Sequence, residues 1–555
     1  MIWSRCVTGP LGSTTELGRG IWGKGMRGDG GKWGATRWVF AVGEAGAVFF
    51  TASGGVIGRG VRSNRLCRVT HSRQAAGVMT SPRFLSLLLL LPCLAWLTPA
   101  LRAAEVTRPN ILFIAVDDLN HWVGHLGRNP QTKTPHLDRL AKMGVTFTRA
   151  YCAAPVCNPS RAALMSGRRP GETGVYDNGQ NWMPVVPKEQ TLTTQFLRAG
   201  YEVLGAGKIY HASAHRPGEW TEYAEREGGE PKKLAATAKN DGVGGIKFAP
   251  LECEDSAMPD YRIASYGIEQ LGRKHARPFF LAVGFHKPHM PWNVPQKYYD
   301  LHPLEKIALP PQRADDLQDV PPAGVKMAKP EGDHAQMLAS GRWKEAVQGY
   351  LAAISFCDAQ VGRLLDAYEK SPQRDNTIIC FWGDHGWHLG EKQHWRKFAL
   401  WEEATRAPFI WVVPGMTKPG GRCERTVDFM GIYPTLCLLA GLPVPAHARG
   451  ADLRPLLADP SARWERPGIT TFHRNNHAIR TEQFRYIRYA DGGEELYDHT
   501  KDEYEWTNLA TDPAWAAQKA ALVKLLPAEN TPELPRTQGT GEEGAPKKPG
   551  KAKKK

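Results

Sequence analysis

Apolar runs of strand length alternate along this chain with stripes of helical period. Asn110–Val116 (NILFIAV) carries no charge, as expected for a strand buried on both faces. Residues 136–143 set Leu137, Leu140 and Ala141 on one helical face, and Gly144 stops the helix. Residues 192–199 read as a second helix ended by Gly200, and 201–204 as the strand that follows. The runs 279–283, 377–382 and 409–413 are further buried-strand candidates. Tyr350, Ile354, Cys357, Val361, Leu364, Leu365 and Tyr368 form one stripe of a long helix. This alternation predicts an α/β fold with a mostly parallel sheet. No internal repeat is visible.

The pattern changes after about residue 456. Residues 479–490 and 494–497 are short and alternating, with a turn at Asp491-Gly492-Gly493. That predicts a smaller C-terminal α+β subdomain with an antiparallel sheet beside a main domain spanning 105–455. The charged, Trp-anchored stretch 501–509 reads as a turn into a last helix at 514–526, within a subdomain spanning 456–530. Residues 531–555 are rich in Pro, Gly and Lys and read as a disordered basic tail.

The N-terminus adds a leader. Arg83 precedes an apolar run at 84–97, and small residues follow at Ala100, Ala103 and Ala104. Together with Met79 this is the anatomy of a signal peptide over 79–104, too short for a comfortable membrane span. It implies export, with no stable span after cleavage. Residues 1–78 are Gly-, Arg- and Trp-rich without periodicity, and read as a start placed too early or as a disordered extension. Charge then loses its first meaning. Of the net +15, +8 falls in residues 1–78 and +5 in residues 536–555, leaving +2 for the rest. A nucleic-acid groove needs that charge on the folded body, so nucleic acid is excluded as a partner.

Seven of the ten cysteines lie beyond the leader, with no C-x-x-C pair, so a zinc ribbon or thioredoxin site has no support. Asp117 and Asp118 directly follow one buried-strand candidate, and Asp384 and His385 another. In open α/β sheets ligands bind at the carboxyl ends of strands. Three carboxylates at one edge repel unless a cation sits among them, and oxygen ligands select Ca²⁺ or Mg²⁺. Read alone, an Asp-Asp pair after a strand fits a helix cap or turn at least as well. Cys157-Asn158-Pro159-Ser160-Arg161 has Pro159 where a helix begins, which puts Cys157 at an anion-favouring N-terminus. From spacing alone, a buried structural cysteine is an equal reading.

The stretch Cys157–Arg168 (CNPSRAALMSGR) resembles the signature of formylglycine-dependent sulfatases, C-x-P-S-R followed by L-x-T-G-R, with Ser166 where Thr is usual. Asp117-Asp118, Gly207-Lys208-Ile209-Tyr210-His211, His286-Lys287-Pro288-His289, Asp384-His385-Gly386 and Lys397 occur in the family order. Arg168-Arg169-Pro170, Tyr176-Asp177 and the run HKPHMP look most like the iduronate-2-sulfatase branch.

The resemblance implies an alkaline-phosphatase-like α/β/α sandwich. It implies that a maturating enzyme oxidises Cys157 to formylglycine, whose hydrated form is the nucleophile. Asp117, Asp118, Asp384 and His385 would hold one Ca²⁺ together with the modified Cys157. Arg161 would orient the diol, Lys208 and Lys397 would clamp sulfate oxygens, His211 would lie on the same face as Lys208, and His286 would be the general acid. The substrate class is a sulfated sugar or polysaccharide. A phosphodiester or phosphonate hydrolase of the same superfamily and a non-catalytic glycan-binding homologue are the alternatives. His121, Trp122, Asn178, Trp182, His388 and Trp395 flank the motifs, as sugar-lining or as core residues.

Overall fold

The computed structural model describes residues 108–211, 215–224, 228–239 and 241–537. The extension 1–78, the signal peptide 79–104 and residues 538–555 of the tail lie outside the described residues. Eight strands form the main sheet: β1 Asn110–Val116, β2 Val145–Tyr151, β3 Glu202–Gly207, β4 Glu222–Ala224, β5 Phe279–Phe285, β6 Thr377–Gly383, β7 Phe409–Val412 and β8 Gly421–Asp428. Their order is β8-β2-β7-β6-β1-β5-β3-β4. All run parallel except β7, which pairs antiparallel with β2 and β6.

The helices are α1 Pro135–Met143, α2 Cys157–Ser166, α3 Leu192–Arg198, α4 Pro259–Gly272, α5 Pro322–Ala328, α6 Trp343–Lys370, α7 Ile432–Leu439 and α8 Ala516–Val523; α5 and α8 pack with the C-terminal sheet and the others cover the main one. The central strand shows why one sequence makes three layers. Leu112, Ile114 and Val116 of β1 pack with α1, α4 and α6, while Ile111, Phe113 and Ala115 pack with α2, α3 and α7. Successive side chains of a strand point to opposite faces, so a strand covered on both must be apolar throughout. The result is the expected α/β/α sandwich. Among the described residues, no helix is long and apolar enough to cross a membrane.

Beyond the sandwich lies a four-stranded antiparallel sheet of β9 Gly468–Thr471, β10 His477–Arg480, β11 Phe484–Arg488 and β12 Glu494–Asp498. The stretch 479–490, expected as one alternating segment, is two strands of a hairpin. Thr481 makes the break: its N–H donates to the Phe484 carbonyl (2.9 Å) and its hydroxyl accepts from the Phe484 N–H (3.0 Å). One face of this sheet shares a core with the sandwich, since Ala478, Ile487 and Tyr497 pack with Val156, Leu400 and Trp401.

The tail departs from expectation at its start. Residues 531–537 form an ordered strap along the 171–180 loop. The N–H groups of Thr531, Leu534 and Thr537 donate to the carbonyls of Gly171 (2.8 Å), Gly174 (3.0 Å) and Gly179 (3.0 Å). The Gln180 amide donates to the Leu534 carbonyl (2.7 Å), and Arg536 pairs with Asp177 (2.8 Å). The sequence's polarity hid this, because backbone pairing carries no side-chain signature. Ending the chain after residue 537 is expected to leave Tm unchanged. Ending it after 528 should lower Tm by ~5 °C, at ~1 kcal/mol per lost hydrogen bond. Thermal melts of the two truncations check this; equal Tm values would show that the strap contributes nothing.

Candidate active site

Four parallel strands end at one edge, and the residue after three of them, β1, β6 and β3, continues the ladder. Asp117 N–H donates to the Phe285 carbonyl (3.2 Å), Asp384 N–H to that of Val116 (3.0 Å) and Lys208 N–H to that of Gly284 (2.8 Å). Strand β3 runs past its expected end to Gly207, which places Lys208 beside the carboxylates. Gly207 (φ +79°) has to be glycine, because a Cβ there would lie 2.1 Å from the Gly284 oxygen.

The nucleophile candidate comes from the facing helix. α2 begins at Cys157 itself, two residues before the expected start, and Pro159 occupies its first turn, where an N–H has no intrahelical partner. Asn158 fixes this end. Its N–H donates to Asn178 Oδ1 (3.0 Å), and its amide donates to the carbonyls of Asp177 (2.9 Å) and Gln180 (2.8 Å). Cys157 is fully buried. Its Sγ lies 2.9 Å from Lys397 Nζ, 3.3 Å from His385 Nε2 and 3.8 Å from Asp118 Oδ1. Burial and Asp117 push the thiol up, but Lys208 and Lys397 outweigh them and bring it to about 6.

Cations interleave with the carboxylates. Arg161 donates from Nε to Asp384 Oδ2 (2.8 Å) and from Nη2 to Asp117 Oδ1 (3.3 Å). Lys208 Nζ contacts Asp117 Oδ2 (2.5 Å), and Lys397 Nζ also contacts Asp118 Oδ1 (2.8 Å). Although burial opposes it, Lys208 and His289 hold Asp117 well below the usual carboxylate range; burial raises Asp118. Burial lowers the pKa of His211, against the opposing pull of the neighbouring Cys157 thiol. The structure thus brings Asp117, Asp118, Cys157, Arg161, Lys208, His211, Asp384, His385 and Lys397 together. His286 sits at the end of β5, its backbone N–H on Asp260 Oδ1 (3.0 Å) and its Nδ1 3.5 Å from the same oxygen.

The group fits a cation. Ligand atoms of Asp117, Cys157, Asp384 and His385 all lie within 4.8 Å of one another. The fully buried Asp118 Oδ2 accepts no hydrogen bond from the described residues. His385 Nδ1 faces the Gly386 carbonyl (3.0 Å) and so carries a proton, which turns the Nε2 lone pair toward Asp118 (3.3 Å) and Asp384 (3.5 Å). A second carboxylate–histidine cluster, Glu402, His499 and Glu505, is closed by Arg485, which pairs with both glutamates.

Three participants were given no role by the sequence reading. His289 Nε2 lies 3.7 Å from Asp118 Oδ2 and 4.0 Å from Asp117 Oδ2. Although burial opposes it, Asp118 raises its pKa well above the ordinary histidine value. The spacing of two histidines three apart was the available signal. Tyr350 donates from its hydroxyl to the Asp118 carbonyl (2.7 Å) and accepts from the Asn120 N–H (2.9 Å). Asp260 has no local signal, being 26 residues from its partner. Most flanking residues are core: Trp182 stacks on Tyr210 at 4.5 Å, His121 pairs with Glu403 (3.1 Å), and Trp122 and His388 are buried, whereas Trp395, also buried, borders a cavity of about 230 Å³. Asn178 caps the nucleophile loop.

The sulfatase profile matches residues 109–442, and a profile described as N-sulphoglucosamine sulphohydrolase, C-terminal, matches 390–531. A sulfatase of Formosa agariphila is 40% identical over 448 residues, 77% of this chain and 88% of its own. The iduronate 2-sulfatase of Mus musculus is 33% identical over 410 residues, 65% of this chain and 74% of its own. A solved 2-O GAG sulfatase is 25% identical with a TM-score of 0.57, over 75% of this chain and 91% of that one. The phosphonate monoester hydrolase of Agrobacterium radiobacter, 23% identical, has a TM-score of 0.63 over 75% of this chain and 94% of that one, a likeness of fold alone.

Proposed function

This chain belongs to the sulfatase family of sulfuric ester hydrolases, and from that premise we propose that it removes sulfate from a sulfated sugar, with an oxidised Cys157 as nucleophile and Ca²⁺ at the carboxylates. The observation that carries the reading is the position of Cys157: buried at a helix N-terminus, with a lysine, a histidine and a carboxylate within 4 Å of its sulfur.

The chemistry asks for more than a thiol. A serine that attacked sulfur would end as a stable sulfate ester. A formylglycine hydrate has two hydroxyls: one takes the sulfuryl group, and loss of the proton from the other expels sulfate and restores the aldehyde. Arg161 and the α2 terminus hold residue 157 in place, and His211 lies against the same atom. Lys208 and Lys397 clamp the sulfate oxygens. As they turn from Asp117 and Asp118, those carboxylates are left for a cation. Asp117, Asp118, Asp384 and His385 would hold it, and it supplies Lewis-acid stabilisation of charge on the sulfuryl oxygens. Hard oxygen donors favour Ca²⁺. His286, oriented by Asp260, gives its proton to the leaving sugar oxygen. The iduronate 2-sulfatase and 2-O GAG sulfatase relatives support a sulfated uronate-containing chain as the substrate class. The sequence over 79–104 supports export, with oxidation by a maturating enzyme on the way.

The test is turnover of defined sulfated oligosaccharides and of 4-nitrophenyl sulfate, together with the mass of the Cys157 peptide. Conversion exchanges one sulfur and two hydrogens for one oxygen. An unconverted thiol in a protein that still turns over sulfate esters would refute the nucleophile. Aryl phosphodiester turnover above aryl sulfate turnover would favour the phosphonate-hydrolase reading. Chelation gives a second check. Dialysis against EGTA is expected to abolish turnover, and Ca²⁺ at about 100 times its Kd should restore it and add about 2.7 kcal/mol of stability. Calorimetry reads the gain as a higher Tm; full activity and an unchanged Tm after chelation would remove the metal from the site.

A further inference from the structure

Lys397 points into the Cys157 cluster, while its two chain neighbours line cavities. Arg396 and Phe398 border one of about 230 Å³, and Phe398 also borders a second of about 500 Å³. Lys329 lines both, so the two meet at Lys329 and Phe398 to form one groove. The larger volume falls in the ~300–1,000 Å³ range of small-ligand sites. The groove is tied to the nucleophile loop. Phe398 donates its N–H to the Pro155 carbonyl (3.2 Å) and packs in the cluster that includes Val156, the residue before Cys157.

Its lining has two parts. Phe398 and Phe472 give an apolar wall, their ring centroids 6.2 Å apart, and His473 extends it, 4.4 Å from Phe472. Lys326 and Lys329, three apart at the end of α5, are exposed on the rim, and neither pairs with a described carboxylate. Asp491 on that rim accepts the Gly493 N–H (2.9 Å). The backbone is held in an uncommon form here: Lys329 (φ 53°), Arg396 (φ 80°), Phe398 (φ 72°) and His473 (φ 53°) are all left-handed without being glycine. Such residues gather at ligand sites, where the surroundings hold them.

We propose that this groove binds a second, anionic sugar of the substrate chain, next to the one that loses its sulfate. The ring lies on Phe398 and Phe472, and Lys326 and Lys329 hold its anionic group, a carboxylate or another sulfate. The inference rests on Cys157 as the sulfatase centre, because the groove is lined by the two chain neighbours of its contact Lys397. It makes the protein a reader of oligosaccharides, indifferent to what lies beyond the sulfate of a small aryl ester.

The experiment compares wild type with the double variant Lys326→Ala/Lys329→Ala, using a heparin-derived tetrasaccharide and 4-nitrophenyl sulfate. On the full chain carrying Cys157→Ala, the double substitution should weaken tetrasaccharide binding about tenfold. In the active protein, kcat/KM for the tetrasaccharide should fall as much, through KM, with 4-nitrophenyl sulfate unchanged. Unchanged binding overturns the proposal, as does an equal fall on both substrates. So does an equal loss from Lys370→Ala/Lys418→Ala, which would make the effect one of overall charge. The carboxyl-reduced tetrasaccharide identifies the anion: no difference between wild type and variant marks a carboxylate, and a persisting difference marks a sulfate. If wild type turns over neither substrate, the sulfatase reading fails, while the binding titration still decides the groove.

Discussion

Replacing Cys157 by alanine is expected to lower kcat by a factor on the order of 10⁵ or more, the scale of losing a covalent nucleophile. The side chain touches Lys397, His385 and Asp118, and no other side chain in that shell can form and release a sulfuryl ester. Ser160 is close in sequence, but its hydroxyl donates to the Asp384 carbonyl (2.6 Å), and it has no second oxygen for the release step. Folding should be spared, because alanine keeps the helix and removes a buried thiol that already stands among carboxylates. Cys157→Ser separates attack from release. Serine should accept the sulfuryl group once and stop, leaving an adduct visible by mass after incubation with an aryl sulfate. A folded alanine variant with even a tenth of the wild-type kcat, or a serine variant that cycles, would place the nucleophile elsewhere.

How much of this was legible before the structure depends on the kind of contact. The central strands were plain, since burial on both faces forces runs such as Ile111–Val116 to be apolar. The carboxylates were legible because they directly follow such strands, and Cys157 because its neighbourhood resembles a family signature. Contacts made at long range left no trace. Asp260 reaches His286 from the first turn of α4, and Tyr350 reaches the Asp118 carbonyl from a helix stripe that reads as core. Tyr350 is core as well as partner, fully buried against Trp122 and Trp292, so no pattern could separate the two roles. The 479–490 stretch misled because its alternation continues across the hairpin, whereas the break depends on one threonine's local bonds. Arg396 and Phe398 were invisible for a related reason: left-handed backbone is foreshadowed by glycine, and neither is one.

His286→Ala should be the second most damaging substitution, with a loss that depends on the leaving group. A general acid protonates the departing oxygen, so its value falls as the leaving alcohol becomes more acidic. For an alkyl sugar sulfate the expected loss in kcat/KM is about 10²–10⁴-fold. For 4-nitrophenyl sulfate it should be far smaller, because that phenolate departs without a proton. The geometry supports the assignment. Asp260 is buried and held below its usual range: burial opposes this, but the contact with His286 outweighs it. A carboxylate on Nδ1 fixes the ring, and proton exchange is left to Nε2. Asp260 also accepts the backbone N–H groups of His286 and Lys287, so it positions the whole turn. Asp260→Asn keeps an acceptor for those bonds and removes the charge. It should therefore reproduce part of the leaving-group dependence, while a merely structural role would lower both substrates alike. The competing role for His286 is a hydrogen bond to a non-bridging sulfate oxygen. Both substrates carry the same sulfuryl group, so that role predicts equal losses. Measuring kcat/KM of His286→Ala on the two substrates decides between them. Equal losses would make His286 a sulfate ligand and pass the proton to His211 or His289, the two histidines that the structure sets against Cys157 and Asp118.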